Sequence, residues 1–307
     1  SEGISLMALL RFVACFYPQR CAVIDDCQSL TYRELYNRTR QLAQILHTKY
    51  HLQPKTRVAL IGRNSLTLTI LLHALSRLGI HTTLLSTDLG TEQITAALQK
   101  HHYQLFIYDE DLKQIPIETP CTAVTTETLS DILLSKEAQT RDIKLPKIWR
   151  GGEITIHSGG TSGNFKSIAR RPSVTSFLPP LLALLHNIRI YEYKSVLISL
   201  PFYHGFGLST LIISLLMGKK VCLQKRFDAI KTLEIIQREQ IEVMPIVPAM
   251  LSRFWQIENA KEKMKSLRCL ISGGDKLPKS LIDTTHQQIG EVLFNLYGTS
   301  EAGFFML

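Results

Sequence analysis

Ser158-Gly159-Gly160-Thr161-Ser162-Gly163-Asn164-Phe165-Lys166-Ser167 stands near the middle of this 307-residue sequence, led into by the apolar run Ile154-Thr155-Ile156. Three glycines let backbone N–H groups turn toward an anion at little steric cost. The hydroxyls add donors and Lys166 adds a point charge, so the loop can hold a polyphosphate. It differs from the P-loop, in which lysine follows glycine directly, because two residues separate Gly163 from Lys166. A glycine- and hydroxyl-rich loop is also a plain turn, so its meaning depends on the segments around it.

Outward from this loop, strand-like and helix-like segments alternate. On the N-terminal side, Thr31-Tyr32-Arg33-Glu34 is a capping box ahead of a helix to about Tyr50, with Leu35, Thr39, Leu42, Ile45 and Leu46 at helical spacing. A βαβ unit follows: strand Arg57 to Gly62, Asn64 as cap, helix Leu66 to Leu78, Gly79, and strand Ile80 to Leu85. Thr91 to Lys100 reads as a helix and Gln104 to Tyr108 as a strand. Ile115 to Lys147, richer in Pro, Thr and charge, reads as loop with one short helix.

On the C-terminal side, helices are expected at Val174 to Asn187, Phe206 to Met217, Ala229 to Gln240, Pro248 to Trp255 and Lys279 to Ile289. Strands are expected at Ser195 to Leu200, Lys220 to Leu223, Glu242 to Ile246, Cys269 to Ser272 and Val292 to Leu296. Such alternation implies an α/β protein with two mainly parallel sheets covered by helices. The closing run Phe304-Phe305-Met306-Leu307 has neither a cap nor a polar tail, as if cut inside an element.

In open α/β sheets ligands gather beyond the carboxyl ends of strands. Three strand-to-loop junctions join the glycine loop there: Pro201-Phe202-Tyr203-His204-Gly205-Phe206-Gly207, Ser272-Gly273-Gly274-Asp275-Lys276-Leu277-Pro278, and Asn295-Leu296-Tyr297-Gly298-Thr299-Ser300-Glu301. In this order the four loops resemble the signature motifs of the acyl-adenylate-forming, or AMP-binding, superfamily, most closely the N-terminal lobe of an acyl-CoA synthetase. Leu30-Thr31-Tyr32-Arg33-Glu34-Leu35, Val58-Ala59-Leu60, Asn64-Ser65, Ala74-Leu75 and Leu78-Gly79 resemble its N-terminal blocks, so the likeness runs almost end to end.

The resemblance implies ATP-dependent activation of a carboxylic acid as acyl-AMP, followed by thioester formation with CoA. ATP, Mg2+ and CoA are the implied cofactors. Ser158, Gly159, Gly160, Thr161, Ser162, Gly163 and Lys166 would wrap the β- and γ-phosphates. The family's proline before the lysine is Phe165 here and its closing glycine is Ser167, which alters the loop. Glu301 would ligate the magnesium, Thr299 would donate to the α-phosphate, and Tyr297 would stack on adenine beside Leu296 and Gly298. Asn295 would serve the adenine amino edge. The backbone of Gly273, Gly274 and Asp275 would lie along adenine and acyl group, and His204 would face the substrate carboxylate.

Amino-acid-activating members carry Phe-Asp in the second motif, whereas Phe202 is followed here by Tyr203, which favours a non-amino acid, fatty or aromatic. The resemblance further implies an incomplete N-terminal adenylation lobe spanning 1–307, with subdomains near 50–190 and 1–49 plus 191–307. The ribose-binding aspartate, hinge and C-terminal lobe of the family are absent from this sequence, so weak or no turnover is expected of it alone. Two other readings stay open: an amino-acid or carrier-protein adenylating module, whose acceptor would be a phosphopantetheinyl carrier, and a non-catalytic nucleotide-binding homologue.

Composition sets the bounds. A hydrophobic content of 45% with 20% charged residues describes a globular protein, and 35 Lys+Arg against 26 Asp+Glu give +9. The basic residues come in scattered pairs without interleaved aromatics, which argues against nucleic acid. The charge leaves peripheral contact with an anionic membrane open. No apolar run reaches the ~20 residues of a spanning helix, and the apolar patch after Ser1-Glu2-Gly3 lacks the layout of a signal peptide. The six cysteines form no C-x-x-C pair and read as buried reduced thiols of a cytoplasmic protein, with neither a disulfide framework nor a zinc site.

Overall fold

The computed structural model describes residues 3–116, 118–135, 143–157, 167–170, 188–299 and 303–306. The helix expected over Val174 to Asn187 lies outside them. The chain divides into two compact units, Ser1–Gln19 with Leu30–Pro172 and Arg20–Ser29 with Ser173–Leu307.

In the first unit, strands β3 (Arg57–Ile61), β4 (His81–Leu85), β5 (Leu105–Tyr108), β6 (Thr122–Thr125), β7 (Ile154–His157) and β8 (Ser167–Arg170) form a sheet of order β6-β5-β3-β4-β7-β8. All pairings are parallel except β7 with β8, where Ile154 lies opposite Arg170 and His157 opposite Ser167. Strands β6 and β8 were not expected. Each is a four-residue edge piece with too short a run to show periodicity. Helix α5 (Thr126–Leu134) follows β6 and is the short helix expected in that stretch.

Helix α3 (Leu66–Leu78) is buried along its length. Its N-cap is Ser65, whose hydroxyl accepts from the Leu68 N–H at 3.1 Å, and not the expected Asn64, which is buried one residue earlier. Gly79, at φ +71°, ends it. Burial pushes the His73 imidazole down to about 4, so it stays neutral while its Nδ1 sits 2.8 Å from the Thr69 carbonyl. Helix α2 (Tyr32–Lys49) carries the expected capping box: Glu34 accepts from the Thr31 N–H at 2.8 Å, and the Thr31 hydroxyl accepts from the Glu34 N–H at 3.3 Å. Helix α1 (Leu6–Phe16), absent from the sequence reading, packs with α2 and α3 in this unit. The helix expected over 31–50 therefore groups with the first sheet, because its buried face (Leu35, Leu42, Leu46) meets α3. Helix α4 (Thr91–Lys100) covers β5 through Ile94, Ala97 and Leu98.

The second sheet has the order β14-β13-β12-β11-β9-β10-β1-β2, from β1 (Cys21–Ile24), β2 (Ser29–Thr31), β9 (Ser195–Ile198), β10 (Lys220–Leu223), β11 (Val243–Ile246), β12 (Cys269–Gly273), β13 (Leu293–Thr299) and β14 (Gly303–Met306). From β1 through β13 the described pairings are parallel, while β14 runs antiparallel to β13. The apolar run at Phe304 thus belongs to a strand. Helices α6 (Gly205–Leu216), α7 (Ala229–Glu239), α8 (Pro248–Phe254), α9 (Ala260–Lys263) and α10 (Lys279–Ile289) connect these strands. Leu233, Ile236, Leu251, Phe254 and Leu281 pack on Leu197, Met244 and Leu270 to make its core. Of the six cysteines, only Cys222 and Cys269 are buried, and Cys15 and Cys27 are exposed, which corrects the expectation that the thiols lie inside.

At the carboxyl edge of the first sheet, Asp109 is buried. It accepts from the Arg63 N–H at 2.6 Å and the Thr126 hydroxyl at 2.7 Å, while the Arg63 guanidinium pairs with Asp111. Burial raises the Asp109 pKa. A carboxyl raised in the folded state holds more protons there than when unfolded. Its contribution to stability therefore falls as pH rises from its ordinary range to the raised value. In urea titrations at neutral pH, Asp109→Asn, which keeps an acceptor and removes the charge, should match the parent within about 1 kcal/mol. Asp109→Ala, which orphans both donors, should lose about 2–3 kcal/mol.

Candidate active site

In the second unit the chain goes from β9 to β10 on one side and then crosses to β11 on the other. The strand order therefore reverses between β9 and β11. Such a reversal leaves a crevice at the carboxyl edge, because the following helices diverge to opposite faces. The junctions after β9, β11, β12 and β13 all open on this edge.

Beyond β9 the chain turns at Pro201, whose carbonyl accepts from the His204 N–H at 3.0 Å. Phe202 and Tyr203 are buried, while His204 is exposed as the N-cap of α6, its ring centroid 4.7 Å from that of Tyr203. No side chain caps this end of α6, so the positive end of its dipole faces the crevice. A Cβ on Gly207 would stand 2.5 Å from the Leu200 carbonyl oxygen and closer still to that of Pro201. Only glycine lets the helix start so near the strand exit. A buried network holds the same junction: the hydroxyls of Ser199 and Thr232 donate to Gln224 Oε1 at 2.7 and 2.9 Å. The sequence reading missed these three residues. Ser199 and Gln224 carry the signal of a polar side chain directly after a buried strand, whereas Thr232 lies within α7 and carries none.

The β12 and β13 junctions lie side by side in register, Ser272 opposite Asn295 and Gly273 opposite Leu296. A Cβ on Gly273 would meet the Leu296 carbonyl oxygen at 3.1 Å and Phe206 Cε1 at 3.2 Å. Gly274, at φ +85°, lies against Val247 at the start of α8. The structure thus brings Gly273 together with Leu296 and Phe206 and sets Gly274 against Val247, and motif reading gave Phe206 and Val247 no role; His204 lies two residues before Phe206. Asp275 is exposed and accepts from the Lys276 N–H at 2.7 Å, and Asn295 is exposed on β13. The backbones of Tyr297, Gly298 and Thr299 complete β13.

The loop Ser158, Gly159, Gly160, Thr161, Ser162, Gly163 and Lys166, together with Glu301, lies outside the described residues. Among the described residues no group of three or more His, Cys, Asp or Glu could hold a metal.

Two substitutions probe this edge. Gly207→Ala should lower stability by more than about 2 kcal/mol in chemical denaturation, since its methyl meets two backbone carbonyls that cannot move independently of β9. Ser272 is fully buried, and its hydroxyl has no partner among the described residues. Ser272→Ala should therefore leave stability unchanged or raise it by about 1 kcal/mol.

The chain is 28% identical to a 2-succinylbenzoate–CoA ligase of Bacillus licheniformis over 267 residues, which is 87% of this chain and 54% of that protein. The corresponding ligase of Bacillus subtilis is 25% identical over 284 residues, 92% of this chain and 56% of the relative. The chain thus spans little more than half the length of these curated relatives. Among solved structures, o-succinylbenzoate CoA synthetase of Bacillus subtilis in complex with ATP and magnesium superposes with a TM-score of 0.80 at 23% identity, covering 95% of this chain and 60% of that one. The N-terminal subdomain of Klebsiella oxytoca NpsA, bound to 3-hydroxybenzoyl-AMSN, gives 0.82 at 18% identity, covering 99% and 76%. A family model described as AMP-binding enzyme matches residues 12–307, and the chain belongs to that family.

Proposed function

We propose that this chain is the adenylate-forming part of an acid–thiol ligase. It activates an aromatic carboxylic acid as acyl-AMP with ATP and Mg2+ and supplies it for transfer to CoA. The observation that carries this is the meeting of Phe206, Gly273 and Leu296. Three separated motifs share one surface there, bare of side chains at the glycines, where a planar base and an acyl group can lie against backbone. The aromatic class is supported by the 2-succinylbenzoate ligases among the relatives, and a non-amino acid by Tyr203 standing where amino-acid-activating members carry aspartate.

A carboxylate is a poor electrophile. Its oxygen attacks the α-phosphorus, pyrophosphate leaves with the electron pair of the broken P–O bond, and a mixed anhydride results. A thiolate then attacks the acyl carbon, and AMP departs. The protein's task is positioning and charge stabilisation. His204 and the uncapped amino end of α6 suit the incoming carboxylate. Asn295 would read the adenine edge, Tyr297 would stack on the base, and Thr299 would donate to the α-phosphate. Lys166 and its loop would hold the β- and γ-phosphates, and Glu301 would hold Mg2+, which when bound screens their charge.

Calorimetric titration of the 307-residue chain tests this. A benzoyl-sulfamoyl-adenosine should bind at least about 100-fold more tightly than ATP·Mg2+, and more tightly than its dodecanoyl counterpart. Lys166→Ala should weaken ATP about tenfold while leaving the sulfamoyl compound, which has no pyrophosphate, nearly unchanged. Equal affinity for the acyl analogue and AMP would point instead to a nucleotide-binding homologue without acid activation.

A further inference from the structure

We infer that α1 and the segment bridged to its amino end form a docking surface for an anionic lipid membrane. Helix α1 (LMALLRFVACF) carries one charge, Arg11, and is apolar on two faces. Met7, Leu10 and Val13 are buried. Leu9, Phe12 and Phe16, spaced i, i+3 and i+7, lie on a second face that nothing described covers. Phe12 and Phe16 are 62% and 64% exposed, with ring centroids 4.8 Å apart. A helix apolar on two sides is ordinarily buried on both.

The apolar strip extends past both ends of the helix. At the amino end the Ile4 N–H donates to the Trp149 carbonyl at 3.0 Å, and the Ile4 carbonyl accepts from the Gly151 N–H at 2.8 Å. That pairing fixes Trp149, 80% exposed, beside exposed Ile4. At the carboxyl end Tyr17 is also exposed. With a rise of 1.5 Å per residue, the helix alone separates these ends by about 16 Å. Soluble surfaces rarely present apolar side chains so densely without a partner.

Charge selects the partner. Lys147 and Arg150 flank Trp149 and are exposed, Arg11 lies on the helix, and exposed Arg33 is tied to the carboxyl end through its N–H bond to the Pro18 carbonyl. The carboxylate next in sequence to Arg33, Glu34, is turned into its own capping box. Aromatic rings edged by guanidinium and ammonium groups match the headgroup level of an anionic bilayer, with rings at the acyl boundary and cations on phosphates. A second copy docked by two-fold symmetry would set this basic rim against itself. No described helix is long and apolar enough to cross a membrane, so the contact is with the surface. This inference stands apart from the proposed chemistry.

The test is co-sedimentation of the chain with vesicles of phosphatidylcholine containing about one-third phosphatidylserine, and with phosphatidylcholine alone. The parent should pellet with the anionic vesicles only and be released as ionic strength rises toward about 0.5 M. Phe12→Ser/Phe16→Ser/Trp149→Ser should lose at least about tenfold in partitioning with an unchanged melting temperature, since these side chains are exposed. Should that variant fail to fold, Lys147→Glu/Arg150→Glu must show the same loss. No pelleting, or pelleting that neither variant alters, overturns the proposal. So does light scattering in which the triple variant turns an oligomer into a monomer while the parent ignores vesicles, which would assign the strip to a second copy.

Discussion

The close approach of Gly273 to the Leu296 carbonyl and the Phe206 ring is the constraint on which the candidate site depends. Parallel pairing of β12 with β13 fixes the spacing of the two junctions, and the register sets Gly273 opposite Leu296. With neighbouring strands just under 5 Å apart, an exit loop can lean on its neighbour's backbone only where it has no side chain. Phe206 reaches the same point because Gly207 lets α6 begin almost on top of the β9 exit. Ser199, Gln224 and Thr232 stiffen the base of that exit with buried hydrogen bonds. A surface of bare backbone thus arises from strand register, which is more rigid than side chains on a loop.

The two sheets share a topological device and use it differently. Each has a reversal of strand order, between β3 and β5 in the first unit and between β9 and β11 in the second. In the first, Asp109 occupies the carboxyl edge and takes up the Arg63 N–H and the Thr126 hydroxyl, donors that an external anion would need. Its raised pKa records the cost of keeping a carboxylate there. In the second, the amino end of α6 has no side-chain cap, and exposed His204 stands at its mouth. Of two crevices made alike by chain topology, one holds the protein's own buried carboxylate at its carboxyl edge, and at the other no side chain caps the amino end of α6.

Most of this architecture was legible because its signals are local. Thr31 and Glu34 announce α2, the apolar runs at Val58, Val196 and Leu270 announce buried parallel strands, and glycine-rich strand exits announce the site. What escaped depended on distant partners. Strand β1, Cys21–Ile24, exists because Val23 and Ile24 pair with Val221 and Cys222, far along the chain. Helix α1 was passed over because its exposed Leu9, Phe12 and Phe16 are as apolar as its buried Met7, Leu10 and Val13. The cap of α3 passed to Ser65 because Asn64 was drawn into the interior. Phe206 and Val247 were invisible as site residues because large apolar side chains after strands are common everywhere, and only the register shows which of them touch the glycines.

The opposite, amino-terminal edge of the second sheet is built differently from the edge that carries the candidate site. There Lys219 is buried, its ammonium donating to the carbonyls of Ile190, at 2.6 Å, and Tyr193, while Lys220 reaches the Glu239 carbonyl at 2.8 Å. Burial pushes the Lys219 ammonium down to about 8 and the thiols of Cys222 and Cys269 up to about 12, so the thiols stay protonated and unreactive at neutral pH. Lys219 holds the segment that leads into β9, and Lys220 holds the end of α7 that leads into β11. Strand polarity alone cannot make one edge of a parallel sheet structural and the other receptive. The two edges differ in their polar groups: at the amino edge side-chain cations are spent on backbone carbonyls, whereas at the carboxyl edge the amino end of α6 has no side-chain cap.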